Sequence, residues 1–290
     1  MHKVLKYSGS KWNIAKNLVE LIPPHKSYVE PYFGSGAVLF NKEPSAIETV
    51  NDLDSDVVNL FRCIREEPET MARLVMTTPY SREAYNDSFQ GTPITGIPPG
   101  DNRFRKACRF LTRMWQAYGS RNDGYKSGWK YDVSRERMYA LWDWYALPER
   151  IVEVAERLRK VQIERRPALE VIQRFDSPDA FIYLDPPYLL GTRSHKQYRH
   201  EMEDADHEEL LETVLRSKAR IMISGYESEM YSDYLRGWHK ACFSSYADGG
   251  RPRQEVVWMN YEPIQFYFER HGEQSQKARE NDNERIKKSS

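Results

Sequence analysis

Residues 185–188, Asp-Pro-Pro-Tyr, follow a run of apolar and aromatic residues that is typical of a buried strand. Pro186 and Pro187 have fixed φ angles and no N–H group, so they cannot extend the ladder of backbone hydrogen bonds. They hold the Asp185 carboxylate and the Pro186 carbonyl as two rigid acceptors, beside the aromatic face of Tyr188. Two acceptors and a ring face suit an amino group on a flat base. The alternative is a strand that ends at a Pro-Pro turn with an incidental aspartate.

Acceptors placed in this way can activate an amine. An exocyclic amine conjugated to a purine is a poor nucleophile because it shares its lone pair with the ring. Accepting both of its N–H bonds draws the nitrogen towards tetrahedral geometry and frees the lone pair for attack. Preorganised polar groups contribute on the order of 3 kcal/mol each to a transition state. The segment therefore indicates nucleophilic attack by a base amine.

A second candidate site is the glycine-containing stretch "EPYFGSG", residues 30–36, after a short predicted strand. Gly34 and Gly36 allow the backbone to pass close to a ligand that a Cβ atom would exclude. Asp52 ends the next predicted strand, where its carboxylate can accept both hydroxyls of a ribose. The turn is one glycine short of the dinucleotide fingerprint, which favours a nucleoside without a pyrophosphate. The alternative is a tight strand-to-helix turn that binds nothing.

The segment from Arg103 to Arg137 is strongly basic and rich in aromatic residues. It holds ten basic and three acidic side chains, a local charge of about +7, in a chain whose formal net charge is zero. Such segregation of charge favours contacts with phosphates, and "RNDGYKSG" could turn a hairpin whose side chains enter a groove. The alternative is a solvated helix face with core aromatics. The candidate DNA-binding residues are Arg105, Arg109, Arg113, Arg121, Lys126 and Lys130.

The elements that position these residues alternate between strands and helices. Apolar spacing predicts a helix over residues 11–22 and another over 206–217, with Asp206 as its N-cap. Short apolar runs at 181–185, 220–226 and 255–261 are typical of strands buried on both faces of a parallel sheet. We therefore expect an α/β fold with a doubly wound, mostly parallel sheet. In such sheets ligands bind outside the carboxyl ends of the strands, where both candidate sites lie.

The cysteines, the histidines and the longest apolar stretches of the sequence argue against several classes of protein. The three cysteines are odd in number and in no metal-binding spacing, which favours a reducing cytoplasm over a disulfide framework or a zinc site. His195, His200 and His207 also fit no metal pattern, so we expect no metal. The sequence shows neither a signal peptide nor a stretch of 18 apolar residues, so we expect no membrane partner.

Three motifs together resemble a known family. "KYSGSK" (6–11), "EPYFGSG" and "DPPY" look like the signature motifs of S-adenosylmethionine-dependent DNA adenine-N(6) methyltransferases of the Dam-like group, and they occur in the same order. The resemblance implies a Rossmann-like catalytic domain in residues 1–56 and 149–268. A mainly helical target-recognition insert, 57–148, would bind double-stranded DNA, and we expect a polar, disordered tail over 269–290.

The resemblance also assigns roles to residues. It implies that S-adenosylmethionine is the methyl donor and that its site includes Tyr7, Lys11, Phe33, Gly34, Gly36, Asp52 and Asp185. Tyr7 stands where well-known members carry tryptophan, and Ser10 replaces a glycine of the usual pair. The catalytic residues would be Asp185, Pro186, Pro187 and Tyr188. Loop 191–203 would order over a flipped base and cofactor.

The implied function is site-specific methylation of the exocyclic N(6) of an adenine flipped out of duplex DNA. We expect the protein to act as a monomer or weak dimer in the cytoplasm of a prokaryotic or phage-infected cell. Methylation at carbon 5 of cytosine is disfavoured, because it needs a thiolate in a setting that none of the cysteines has. Four alternatives remain: cytosine-N(4) methylation, methylation of an RNA substrate, a catalytically inactive DNA-binding relative, and a small-molecule methyltransferase, which leaves the basic insert without a role.

Overall fold

A computed structural model describes residues 1–90, 102–119, 121–133, 139–192, 196–246 and 252–263. The tail predicted at 269–290 lies outside these ranges, as do Arg135, Arg137 and His195 from the sequence analysis.

Within the described ranges the centre of the fold is one sheet of seven strands in the order β3-β2-β1-β4-β5-β7-β6. The first five strands in that order are parallel, while β7 pairs antiparallel with both β5 and β6. The predicted mostly parallel sheet is therefore confirmed. The bounds are β1 Ser27–Glu30, β2 Ile47–Asn51, β3 Val161–Glu164, β4 Ala180–Leu184, β5 Arg220–Gly225, β6 His239–Tyr246 and β7 Pro252–Met259.

The strand β7 corrects one prediction. Its apolar run was assigned to a parallel strand, but it forms the second arm of a β6–β7 hairpin and runs in the opposite direction to β5. The side chains of Val256, Val257, Trp258 and Met259 are nonetheless all buried. Burial on both faces produces a continuous apolar run in either direction, so composition could not distinguish the two.

Nine α-helices lie in the described part of the chain, together with a short 3₁₀ helix at Leu190–Thr192. None of the described helices has the length and apolar character needed to cross a bilayer. The bounds are α1 Ala15–Glu20, α2 Ser55–Glu66, α3 Pro68–Thr77, α4 Arg82–Asp87, α5 Asn102–Gln116, α6 Tyr139–Leu158, α7 Ala168–Arg174, α8 Asp204–Arg216 and α9 Glu229–Tyr234.

Two predicted helix starts differ from the structure. Helix α8 has Glu203 as its N-cap, and Asp206 is the third helical residue of the capping box, accepting from the Glu203 N–H at 2.7 Å. The capping box thus lies three residues before the predicted one. Helix α1 begins at Ala15 rather than at residue 11, because the Lys11 carbonyl accepts from the Ile14 N–H in a preceding turn.

Helices cover both faces of the sheet, and alternate residues of each strand enter different cores. In β4, Phe181 and Tyr183 join the core formed with α2, α3, α5 and α6, whereas Ile182 and Leu184 join the core with α7 and α8. Alternation of this kind buries the strand on both sides. It leaves only the strand ends free to present polar groups, which is where Asp185 lies.

The predicted boundary between insert and catalytic domain, at 148/149, falls inside α6. Pro148 lacks the N–H that would continue the helix ladder, yet α6 runs through it. Trp144, Leu147 and Ile151 on either side are at most 1 % exposed, and their burial on one face offsets the lost hydrogen bond. The helix therefore runs unbroken from Tyr139 to Leu158, across the predicted boundary. The division into domains stays a prediction.

Candidate active site

Asp185 is the first residue after β4, and its carboxylate is held by a lysine from the start of the chain. Lys11 Nζ lies 2.8 Å from Asp185 Oδ1 and 2.9 Å from Oδ2. The Tyr188 hydroxyl donates to Oδ1 at 3.3 Å. The Asp185 side chain keeps 19 % exposure, which it presents to a cavity. The two motifs at 6–11 and 185–188 therefore form one site.

Lys11 is buried and surrounded by oxygen atoms. Besides Asp185, it donates to the Gly9 carbonyl at 2.6 Å, and its Nζ lies 4.8 Å from the centre of the Tyr188 ring. Burial alone would lower the pKa of Lys11, but the carboxylates of Asp185 and Glu255 outweigh it and raise that pKa above its ordinary value. Lys11 is therefore a permanent cation, not a proton donor.

The glycine turn lies at the end of β1, against the same cavity. Gly34 has a φ of +49° and Gly36 a φ of +68°, both in the left-handed region that favours glycine. A Cβ atom at Gly36 would come within 2.5 Å of ring atoms of Phe33 and Phe40. The turn is thus fixed by the aromatic core beneath it, while Gly34 exposes its backbone towards Tyr7.

Replacing Gly36 with alanine should destabilise the fold by about 2–4 kcal/mol, from the strained φ and the ring contacts together. The matched control is Gly124→Ala, where φ is +86° but an added Cβ would meet nothing within 4 Å. The control should lose only the stability that the left-handed φ costs a residue with a Cβ atom, about 1–2 kcal/mol. Urea unfolding measures both. Equal losses would show that the Phe33 and Phe40 rings adjust freely.

Asp52, just beyond β2, is tied to the glycine turn. Its Oδ2 accepts from the Gly34 N–H at 2.8 Å and its Oδ1 accepts from the Asp54 N–H at 2.9 Å. Each oxygen keeps a second lone pair for a ligand hydroxyl. Burial raises the pKa of Asp52 to about 7 despite these hydrogen bonds. A buried carboxylate with spare acceptor capacity is suited to bind a diol.

One cavity of about 260 Å³ joins these groups. The predicted site residues in its wall are Tyr7, Lys11, Phe33, Gly34, Asp52, Asp185 and Pro187. Three others do not line it: Pro186 is buried behind Asp185, Tyr188 turns its hydroxyl inward, and Gly36 shapes the turn from below. The structure therefore brings Asp185, Lys11, Gly34 and Asp52 into the lining of one pocket.

Two buried acids of this region were given no role in the sequence analysis. Glu30 lines the cavity, is 2 % exposed, and its Oε2 has no hydrogen-bond partner among the described residues. Burial raises the pKa of Glu30 to about 8. Glu255, on β7, is 3 % exposed, and its Oε1 accepts from the Tyr188 hydroxyl. The one signal for Glu255 in the sequence was an acid at the start of the apolar run 255–261.

The loop that follows the active-site strand packs over the cavity in the described stretch 196–203. Ser8 Oγ donates to Gln197 Oε1 at 2.7 Å, and the Tyr198 hydroxyl donates to the Ser8 carbonyl at 3.3 Å. Arg199 donates to Asp54 Oδ1 at 3.0 Å and to Asp56 Oδ2 at 2.7 Å. The loop is thus fastened both to the N-terminal motif and to the start of α2. Its ordering on ligand binding stays a prediction.

The basic residues predicted to contact DNA occupy different environments. Arg113 is committed to the protein, since it donates to the Ser88 carbonyl at 2.7 Å and pairs with Asp56 at 3.5 Å. Arg121 pairs with Asp123 and lies over the Tyr125 ring. Lys126 is exposed, and Arg105, Arg109 and Lys130 are half-buried. Lys126 is therefore the most accessible of the six.

The aromatic residues of the same segment divide in a similar way. Phe104, Phe110 and Trp115 are buried in the core, as the alternative interpretation expected for α5. Tyr118, Tyr125 and Tyr131 are each about half exposed or more. The predicted hairpin forms a single antiparallel bridge, between Ala117 and Trp129, rather than paired strands. The exposed tyrosines lie on this segment and next to it, beside Lys126.

Histidine has no metal-binding arrangement in the described residues, among which no group of three or more His, Cys, Asp or Glu side chains is placed to hold an ion. His207 is fully buried, and its Nδ1 forms a 2.9 Å hydrogen bond with the Tyr231 hydroxyl between α8 and α9. It therefore serves packing between those helices.

The fold and the site together define a Rossmann-like methyltransferase. Residues 7–246 match the family described as D12 class N6 adenine-specific DNA methyltransferase, and the chain belongs to that family. It is thus an adenine-specific DNA methyltransferase by family. The family implies a DNA substrate and the use of S-adenosylmethionine as methyl donor.

Individual relatives are distant. The chain is 23 % identical to the type II methyltransferase M1.LlaDCHI of Lactococcus lactis subsp. cremoris, over 68 % of this chain and 69 % of the relative. It is 20 % identical to the type II methyltransferase M.MjaIII of Methanocaldococcus jannaschii, over 81 % and 88 %. It is 22 % identical to a DNA adenine methylase of Salmonella typhi, over 81 % and 83 %.

Proposed function

We propose that this protein transfers a methyl group from S-adenosylmethionine to the exocyclic N(6) of an adenine flipped out of duplex DNA, at a specific short sequence. The observation that carries this proposal is the shared cavity, whose lining includes Asp185, Lys11, Gly34 and Asp52. The cofactor supplies an electrophilic methyl group on a sulfonium. The chain's own residues must then bind it and present the amine.

The cavity wall fits this cofactor. The Asp52 carboxylate offers free lone pairs to the two ribose hydroxyls, and Gly34 has no side chain to obstruct the close approach of a ligand. The buried Glu30 oxygen without a partner offers an acceptor to the cationic amino-acid part. The Tyr7 ring supplies an aromatic wall. A buried carboxylate that gains a cationic partner becomes more favourable to ionise, so binding should lower the pKa of Glu30.

In the same cavity Asp185 would accept an N–H bond of the adenine amine, whereas Pro186, the second predicted acceptor, does not line the cavity. Burial raises the pKa of Asp185, and Lys11 opposes this shift because both carboxylate oxygens lie within 2.9 Å of its ammonium. Such a base cannot reach the cavity from inside a duplex, so it must leave the stack at a cost of a few kcal/mol. The geometry therefore supports base flipping.

DNA binding is assigned in this proposal to the insert 57–148 and chiefly to its exposed basic residues. Lys126→Ala should weaken binding to duplex DNA of any sequence and reduce the slope of log affinity against log salt by about 1. Fluorescence anisotropy across a salt series measures both quantities. The control is Lys218→Ala, an exposed lysine in the turn between α8 and β5, which should leave the slope unchanged. An unchanged slope for Lys126→Ala would remove that residue from the interface.

The proposed function is tested by expressing the protein in a host free of DNA methylation and sequencing that DNA with modification-sensitive chemistry. N(6)-methyladenine at one recurring short site is the expected result. N(4)-methylcytosine would instead support the alternative pyrimidine substrate. Unmodified DNA, from a protein that still binds duplexes in vitro, would show a catalytically inactive relative and would refute the proposal.

A further inference from the structure

Lys11, Asp185, Tyr188 and Glu255 lie together and form the reacting corner of the site. Glu255 is a buried carboxylate whose position there the family match does not explain. It lies on β7, beyond the matched residues 7–246, and is 3 % exposed. Its Oε1 accepts from the Tyr188 hydroxyl and lies 3.5 Å from Lys11 Nζ. The Tyr188 hydroxyl also lies 3.3 Å from Asp185 Oδ1. Asp185, Tyr188 and Glu255 thus form a continuous chain of oxygen atoms from the cavity wall into the interior.

The proposed reaction requires a proton acceptor. When the N(6) lone pair forms the new C–N bond and the C–S bond breaks, the sulfonium becomes a neutral thioether and the nitrogen becomes cationic. The nitrogen then loses one proton to become the neutral methylated amine. Asp185 is the nearest base, but its two oxygens are already hydrogen-bonded to Lys11, which favours the ionised form. A proton held there would weaken that pair.

We propose that Glu255 is the terminal acceptor of this proton, reached through Asp185 and the Tyr188 hydroxyl. The N(6) proton passes to Asp185 Oδ1, Asp185 passes it to the Tyr188 oxygen, and Tyr188 gives its own hydroxyl proton to Glu255 Oε1. Asp185 returns to its ionised form beside Lys11, Tyr188 remains neutral, and Glu255 ends neutral. This inference rests on the proposed methyl transfer and adds a third acid to that site.

The local charges favour this direction. The titratable groups facing Glu255 are Lys11, Asp185, Tyr188 and, on β4, Tyr183. With both carboxylates ionised, one ammonium faces two negative charges, so a single added proton brings the buried cluster to neutrality. Burial raises the pKa of Glu255, with Asp185 adding to the effect and Lys11 opposing it. A carboxylate in such a setting accepts a proton more readily than an exposed one.

The test compares Glu255→Gln, Tyr188→Phe and the double variant in single-turnover methylation. Glutamine keeps the shape and the acceptor oxygen for Tyr188 but cannot take up a proton. Each single variant should slow the chemical step about 10- to 100-fold, and the double variant should be no slower than the worse single one. The control Glu212→Gln, an exposed acid paired with Arg216 on α8, should match wild type. A Glu255→Gln enzyme with wild-type rate would show that Glu255 only positions Tyr188, and would overturn the inference.

A second measurement does not depend on turnover. Infrared titrations of the wild-type apoprotein and of Glu255→Gln should differ by one protonated carboxyl band that titrates above the ordinary glutamate range, while the bands of Glu30 and Asp52, whose pKa values are also raised, should appear in both proteins. Identical bands in the two proteins would contradict the assignment of a raised pKa to Glu255 and with it the acceptor role. Binding of S-adenosylhomocysteine should be within about threefold of wild type in both single variants, since neither side chain lines the cavity. If wild type itself fails to methylate DNA while the band behaves as expected, the proposed function fails rather than the proton path.

Discussion

Replacing Asp185 with alanine should reduce the rate of methylation by at least 10²- to 10³-fold, the order found when one preorganised polar group is removed from an active site. Duplex DNA should still bind, because the basic segment that supplies phosphate contacts is untouched. The rate should fall because the Asp185 carboxylate lies in the cavity wall and pairs there with Lys11. Transfer of a labelled methyl group measures the rate, and anisotropy measures DNA binding.

The matched control is Asp179→Ala. Asp179 is exposed at the opposite end of the same strand, before Ala180, so it shares sequence context without facing the cavity. It should leave both rate and binding unchanged. Asp185→Asn retains one acceptor oxygen but loses the charge that pairs with Lys11. Its methylation rate should therefore lie between the rates of Asp185→Ala and Asp179→Ala. Full activity in Asp185→Ala would place the amine acceptor elsewhere in the cavity.

Replacing Lys11 with methionine should cost about 3–5 kcal/mol of folding stability near pH 8, because it leaves two buried carboxylates, Asp185 and Glu255, without their shared cation. Methionine approximates the length of the buried lysine stem, so the change is chiefly one of charge. Methylation should also fall sharply, since Asp185 loses the cation that favours its ionised form. Urea unfolding at several pH values measures the stability.

The loss should depend on pH in a defined direction. Without Lys11, burial holds the pKa values of Asp185 and Glu255 above those of the unfolded chain, about 4. The folded state then binds more protons than the unfolded state, and stability falls as pH rises above 4. The deficit should therefore be small at pH 5 and largest at pH 8. An equal loss of stability at pH 5 and pH 8 would show that the loss comes from packing rather than from charge. The control for the loss of a positive charge is Lys16→Met, at an exposed site.

The position of Asp185 could be predicted because its signal is local. A buried strand followed by an acid and two prolines places the acid at the strand end, whatever surrounds it. The parallel pairing of β1, β4 and β5 puts that end beside the glycine turn, so the alternation of strands and helices sufficed to bring Asp185 near Gly34. The role of Asp52 depends on the same edge of the sheet. Its hydrogen bond to the Gly34 N–H adds a link that spacing alone did not show.

Other features depend on contacts between distant segments, so no short stretch of the sequence contains both partners. Strands β3 and β6 were not predicted: β3 has only four residues at one edge of the sheet, and β6 mixes polar and apolar residues. Resemblance placed Lys11 at the cofactor, but its ion pair with Asp185 joins segments 174 positions apart. Glu255 was missed because the reversed direction of β7 brings it to the reacting corner.

The position of Glu255 on the last described strand has a consequence for biosynthesis. Lys11 is synthesised long before Glu255, and folding can begin in N-terminal parts of a protein during its synthesis. Until β7 enters between β5 and β6, Lys11 has one of its two anionic neighbours and Tyr188 has no acceptor on its inner side. The cluster of Lys11, Asp185, Tyr188 and Glu255 can therefore be completed only after β7 has been synthesised.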